Sequence, residues 1–169
     1  MQVLKKDIGN MLERINKDVS SAINIEELKQ FANITGNVRD AELQVILNSA
    51  ICKVEDIADV SLSENTLLYT SNYPTKMVKL YRLPIAEVMG VRDNRSGSLV
   101  DYTLSLDKSI VMFTEDVCPY ISYKTKAIGD ATFDYLKQIV YEVASAYYDG
   151  MTDNAKLNDI YRKIPKSLC

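Results

Sequence analysis

The chain has 169 residues, with 20 basic and 23 acidic side chains and no histidine. That length suits one domain with a sizeable core, and a hydrophobic share of 47% argues against disorder. A net charge of −3 excludes strong counterion-driven nucleic-acid binding by the whole chain, and the absence of imidazole excludes Ser-His and Cys-His nucleophile pairs.

The chain starts MQVLKKDIGNMLERINKDV, where charges interrupt every few residues, so no signal peptide is expected. Leu4, Ile8, Met11, Leu12, Ile15 and Val19 recur at spacings of three and four, which predicts an amphipathic helix from Val3 to about Ser20, weakened by Gly9. A short helix from Ile25 to Ile34 is expected to bury Ile25, Leu28 and Phe31, with Gly36 suited to its left-handed C-terminal position. Asp40 is placed to cap a long helix to Val60, in which Leu43, Leu47, Ala50, Val54 and Ile57 form a stripe. Ile46, Ile51 and Ala58 widen that stripe, while Lys53, Glu55, Asp56 and Asp59 fall mainly off it.

After Ser63 the hydrophobic period changes from 3.6 to 2. Strands are predicted at Thr66 to Thr70, Met77 to Leu83, Ile85 to Val91, Val100 to Asp107, Ile110 to Phe113 and Tyr120 to Ala127. The short turns between them suggest an antiparallel meander. A second long helix, Thr132 to Asp149, carries Phe133, Leu136, Ile139, Val140, Val143, Ala144 and Tyr147, and Gly150 is placed to stop it. A weaker helical pattern runs from Asp153 to Ile164. The expected fold is α+β and mainly helical: a helical bundle with a small antiparallel β-sheet inserted between the long helices. An N-terminal helical extension (1–22), a central domain (23–155) and a basic tail (156–169) complete the expected organisation.

Chemistry is sparse. Cys52, Cys118 and Cys169 are odd in number and lack CxxC spacing, so neither a zinc site nor a disulfide framework is expected, and a reducing compartment fits. Asp56 with Asp59, one helical turn apart, and Glu115 with Asp116 could hold a divalent cation, but solvated acidic surface accounts for both pairs. The Asp149–Asn154 segment lacks the ligand spacing of a calcium loop. Tyr120, Tyr123, Lys124 and Lys126 could make a stacking surface for nucleic acid, though a strand packing one face gives the same pattern. No metal, cofactor or catalytic residue is expected. No run of 18 apolar residues exists, so no membrane span is expected. The candidate contact residues are Arg92 and Arg95 in the RDNRSGS turn, and Lys156, Arg162, Lys163 and Lys166 at the basic end.

The stretches IEELKQFANI, DAELQVILNSAICKVEDIADV, LYRLPIAEVMGVRD, SLVDYTLSLDKSIVMF, ISYKTKA and LKQIVYEVASAYYDG, taken in order, resemble the head–tail connector (adaptor) family of tailed bacteriophages. The resemblance covers about Ile25 to Gly150 and is a pattern of segments. It implies a structural virion protein, assembled in the host cytoplasm, in a homo-oligomeric ring of about twelve copies with head-to-tail contacts. Its implied partners are the portal protein and a tail or next-ring protein, and DNA would pass through the lumen without specific binding. Two readings from other classes stand beside it: a non-catalytic peptide-binding or regulatory module, and a metal-dependent nuclease using the acidic pairs.

Overall fold

The structure is a computed structural model and describes residues 2–7, 10–15, 22–36, 39–150 and 154–165. Its elements are β1 (Gln2–Asp7), β2 (Asn10–Arg14), α1 (Ile25–Ala32), α2 (Asp40–Ala58), β3 (Asn65–Ser71), β4 (Thr75–Lys79), β5 (Ile85–Asp93), β6 (Thr103–Leu104), β7 (Ile110–Val117), β8 (Pro119–Thr125), α3 (Asp130–Tyr148) and α4 (Asn154–Tyr161). The class is α+β, but it is not mainly helical: among the described residues strands in two antiparallel sheets take nearly as large a share as the helices.

The long helices form as their stripes dictate. Leu43, Leu47, Ala50, Ile51 and Val54 of α2 and Leu136, Ile139, Val140, Val143 and Ala144 of α3 are buried in one helical core. That core also takes in Leu28 of α1 and Ile164 beyond α4. Asp40 is the first residue of α2 rather than its cap. Its carboxylate instead holds Lys29 of α1 at 2.7 Å. The left-handed end of α1 falls on Asn33, φ 54°, two residues after Phe31, which is exposed rather than buried.

The expected N-terminal helix is replaced by a β-hairpin. β2 lies antiparallel to β3, with Leu12 opposite Tyr69 and Arg14 opposite Leu67. Leu12 and Arg14 face inwards and are buried. Met11 and Leu12 also fit a strand, and the open edge of β3 offers ladder hydrogen bonds that a marginal isolated helix does not. Residues 16–20, the end of that expected helix, lie outside the described residues.

The strands are not a meander either. The larger sheet has the order β1-β2-β3-β8-β5 and the smaller β4-β7-β6. The two sheets face each other as a sandwich. Leu12, Tyr69, Ile121 and Val91 line up across the inner face of the larger sheet. Val78, Val111 and Leu104 line up across the smaller one. Together with Leu67, Leu80, Phe113 and Tyr123 they make a second core.

Within the expected strand from Val100 to Asp107, Thr103–Leu104 is the strand, β6. Leu99 still pairs with Arg92 of the larger sheet and Thr103 already pairs with Met112 of the smaller, so the chain crosses between sheets here. Glu115 and Asp116 belong to β7 and are exposed there.

Candidate functional site

The described residues contain no group of three or more carboxylate or cysteine side chains placed to hold a metal ion. No described helix is long and apolar enough to cross a membrane. The chemistry lies instead in one buried ion network and several charged surfaces.

The network joins the helices to the sandwich. Glu55 of α2 is fully buried, and its carboxylate pairs with Arg14 of β2 and, at 3.1 Å, with Arg82. Its other oxygen accepts the Leu62 backbone N–H at 2.9 Å. Arg82, itself buried, also reaches Asp56 at 2.7 Å. The Arg82 backbone sits at φ 65°, a region costly for a residue with a Cβ, and its N–H donates to the Asp59 carboxylate at 3.0 Å. The acidic pair Asp56 and Asp59 thus braces Arg82.

Around this point the backbone is tied as well. Ser61 N–H donates to Leu83 O at 3.0 Å, Leu83 N–H to Asp59 O at 3.0 Å, and Ile128 N–H to Ser61 O at 3.2 Å. Sequence reading missed Glu55 and Arg82. One signal was available: Glu55 falls between Ile51 and Ala58 at spacings of four and three, on the widened stripe and not off it.

The residues of the candidate stacking surface are split, as a strand packing one face requires. Tyr123 points into the sandwich core, and its hydroxyl donates to Tyr81 O at 3.1 Å. Burial pushes that phenol above its ordinary value. Tyr120 and Lys124 face outwards from the same strand, β8, where Tyr120 lies in register with Arg92 of β5 and Thr70 of β3.

The candidate contact residues occupy two separate places. Arg92 is exposed on β5 and Arg95 is exposed at the tip of the turn that follows. That turn is shaped by its own side chains: Asp93 accepts the Arg95 N–H at 3.2 Å and the Ser96 hydroxyl at 3.1 Å. Gly97, at φ 72°, supplies the left-handed residue the turn requires. Lys156 and Arg162 are exposed on and just after α4. Arg162 pairs with Asp159 at 3.1 Å and Lys163 with Glu142 at 2.6 Å, so the basic end is partly neutralised where it lies against α3. Lys166 lies outside the described residues.

Helix packing has its own polar links. Glu27 of α1 accepts from Lys137 at 2.6 Å and from the Tyr141 hydroxyl at 3.0 Å, both on α3. Lys137 beside it holds the Glu27 carboxyl below its ordinary value.

No protein-family model matches the chain, and no curated protein matches it by sequence. Solved structures share its fold. A chain in the neck of the native gene transfer agent (GTA) particle with C12 symmetry aligns at 17% identity and a TM-score of 0.60, covering 90% of this chain and 93% of that one. A chain in the neck of the empty GTA particle with C6 symmetry aligns at 18% identity and a TM-score of 0.58, covering 82% and 84%. A chain of the native GTA virion aligns at 17% identity and a TM-score of 0.59, covering 90% and 94%. The resemblance to head–tail connectors therefore holds at the level of the fold: this α+β architecture is that of chains in the neck of a phage-like particle.

Proposed function

We propose that this chain is a structural, non-enzymatic virion protein of a head–tail neck. In this reading about twelve copies form a ring with head-to-tail contacts. The ring joins the portal vertex to the tail or to a next ring, and DNA passes through its lumen. The observation that carries the reading is the fold match over nine-tenths of both chains to a component of a C12 neck. Two features of this chain support it. Its buried Glu55 and Arg82, with Asp56, brace the fold and carry no chemistry of their own. Its mildly acidic balance would not grip passing DNA.

The exposed cations Arg92, Arg95 and Lys156, with Arg162, Lys163 and Lys166, are proposed to meet acidic partner surfaces, and the segments flanking 23–155 to add contacts to the central domain. Native mass spectrometry of the chain mixed with the portal protein of its own genome tests this. One copy per portal subunit is the expected stoichiometry. A stable monomer that ignores the portal would overturn the ring reading and leave a binding module in its place.

A further inference from the structure

The smaller sheet ends in two unlike edges. On one side β4 exposes Lys76, Met77 and Lys79, with Met77 60% exposed and in register with the exposed Met112 of β7. Among the described residues neither lysine forms an ion pair. On the opposite side Asp101 precedes β6 and Leu106 and Asp107 follow it. All three are exposed, Leu106 completely. The one cation of that turn, Lys108, is turned back onto its own molecule, donating to Ala86 O at 2.8 Å. A tight turn holds Leu106 out: the Asp107 carboxylate accepts the Ser109 N–H at 3.1 Å and the Ser109 hydroxyl at 2.7 Å, and the Ser105 hydroxyl accepts the Ile110 N–H at 3.0 Å.

A cyclic head-to-tail ring needs two different, complementary surfaces on each copy. Lysines on an edge strand serve by themselves to repel other strands. An acidic edge at the far side of the same sheet makes the pair complementary instead. We infer that the occupant of each edge is a second copy of this chain: Lys76, Met77 and Lys79 of one copy meet Asp101, Leu106 and Asp107 of the next, so that the smaller sheets stand side by side around the ring. This contact rests on the ring reading above.

The full-length chain carries the test, followed by native mass spectrometry, with a K76E/K79E variant and a D101K/D107N variant. Each variant alone presents like charges at the contact, and its assembly midpoint rises by about tenfold or more. Mixed in equal amounts, the two restore complementarity at every contact, and an alternating ring with equal copies of each is expected. Leu106→Ser, at a fully exposed position that folding does not use, weakens assembly without lowering the melting temperature. Wild-type rings together with unimpaired rings from K76E/K79E would overturn the contact and leave the ring reading standing. Folded variants that stay apart when mixed would do the same, as would a Leu106→Ser chain that assembles like the wild type. A wild-type chain that assembles neither alone nor on the portal protein would overturn both.

Discussion

Glu55 holds two buried guanidinium groups with one carboxylate and accepts a backbone N–H besides. Such a network adds little net stability over an apolar core, but it punishes the loss of one member, because the partners stay behind as unpaired buried charges. Glu55→Ala strands Arg14 and leaves Arg82 with Asp56 alone, and the expected loss is about 3–5 kcal/mol. Asp56→Ala removes a carboxylate that is 37% exposed and leaves Arg82 paired with Glu55, so the expected loss is about 1 kcal/mol or less. Urea unfolding of the two variants separates these outcomes, and equal shifts in midpoint would show that the network carries no such asymmetry. Arg82 adds a second constraint, since its left-handed backbone is held by Asp59 while its side chain reaches Glu55 and Asp56.

At the scale of single elements, the turn between β6 and β7 responds to pH. Hydrogen bonds from the Ser105 hydroxyl first, then from the Ser109 hydroxyl and N–H, hold the Asp107 carboxyl at about 2, below its ordinary 3.8. A depressed carboxyl stabilises the folded turn above its unfolded value and loses that contribution on protonation. The turn is therefore expected to be closed above pH 3.8 and to open as the pH falls towards 2. Carbon-detected NMR titration of Asp107 reads this directly, Ser109→Ala should move the midpoint upwards, and an ordinary midpoint in the intact chain would refute the arrangement. On α2 the two faces should differ in the same plain way. Leu47→Ala empties a fully buried site and should cost about 2–5 kcal/mol. Val45→Ala changes a 65% exposed one and should stay within about 0.5 kcal/mol. α2 and α3 were legible because their stripes at spacings of three and four hold through 19 residues each and bury in one core, and β8 was legible because Ile121, Tyr123 and Thr125 alternate cleanly with Ser122 and Lys124. The first strands were not, since Met11, Leu12 and Ile15 fit a helix as well as a strand until the edge of β3 decides. β6 misled for the opposite reason: its alternation is regular through Leu106, yet the chain changes sheets before the pattern ends. The exposure of Arg92, Arg95, Lys156 and Arg162 was legible by composition, whereas the two edges of the smaller sheet depend on a strand order that no local pattern encodes.

The molecule as a whole has two cores, one among the helices and one inside the sandwich, and a seam at Val60 and Leu83 joins them. Val60 and Leu62, on the link from α2 to β3, belong to the helical core, while Leu83 belongs to the sandwich and pairs with Val60. The N-terminal hairpin contributes to both sides of the seam. Leu12 enters the sandwich core, and Arg14 supplies a cation that Glu55 requires. An appended helix would be removable at little cost; a hairpin built into the larger sheet is not. Removing residues 1–15 takes away Leu12, leaves Glu55 with Arg82 alone and uncovers the edge of β3. Loss of the buried leucine alone is worth about 2–5 kcal/mol. The bared strand also presents unpaired N–H and C=O groups to other molecules. The shortened chain is therefore expected to unfold at clearly lower urea and to aggregate through that edge, which urea titration and size-exclusion chromatography together would reveal. A shortened chain with the parent's unfolding midpoint and a clean monomer peak would mean that the seam is held by Arg82 and Glu55 without the hairpin.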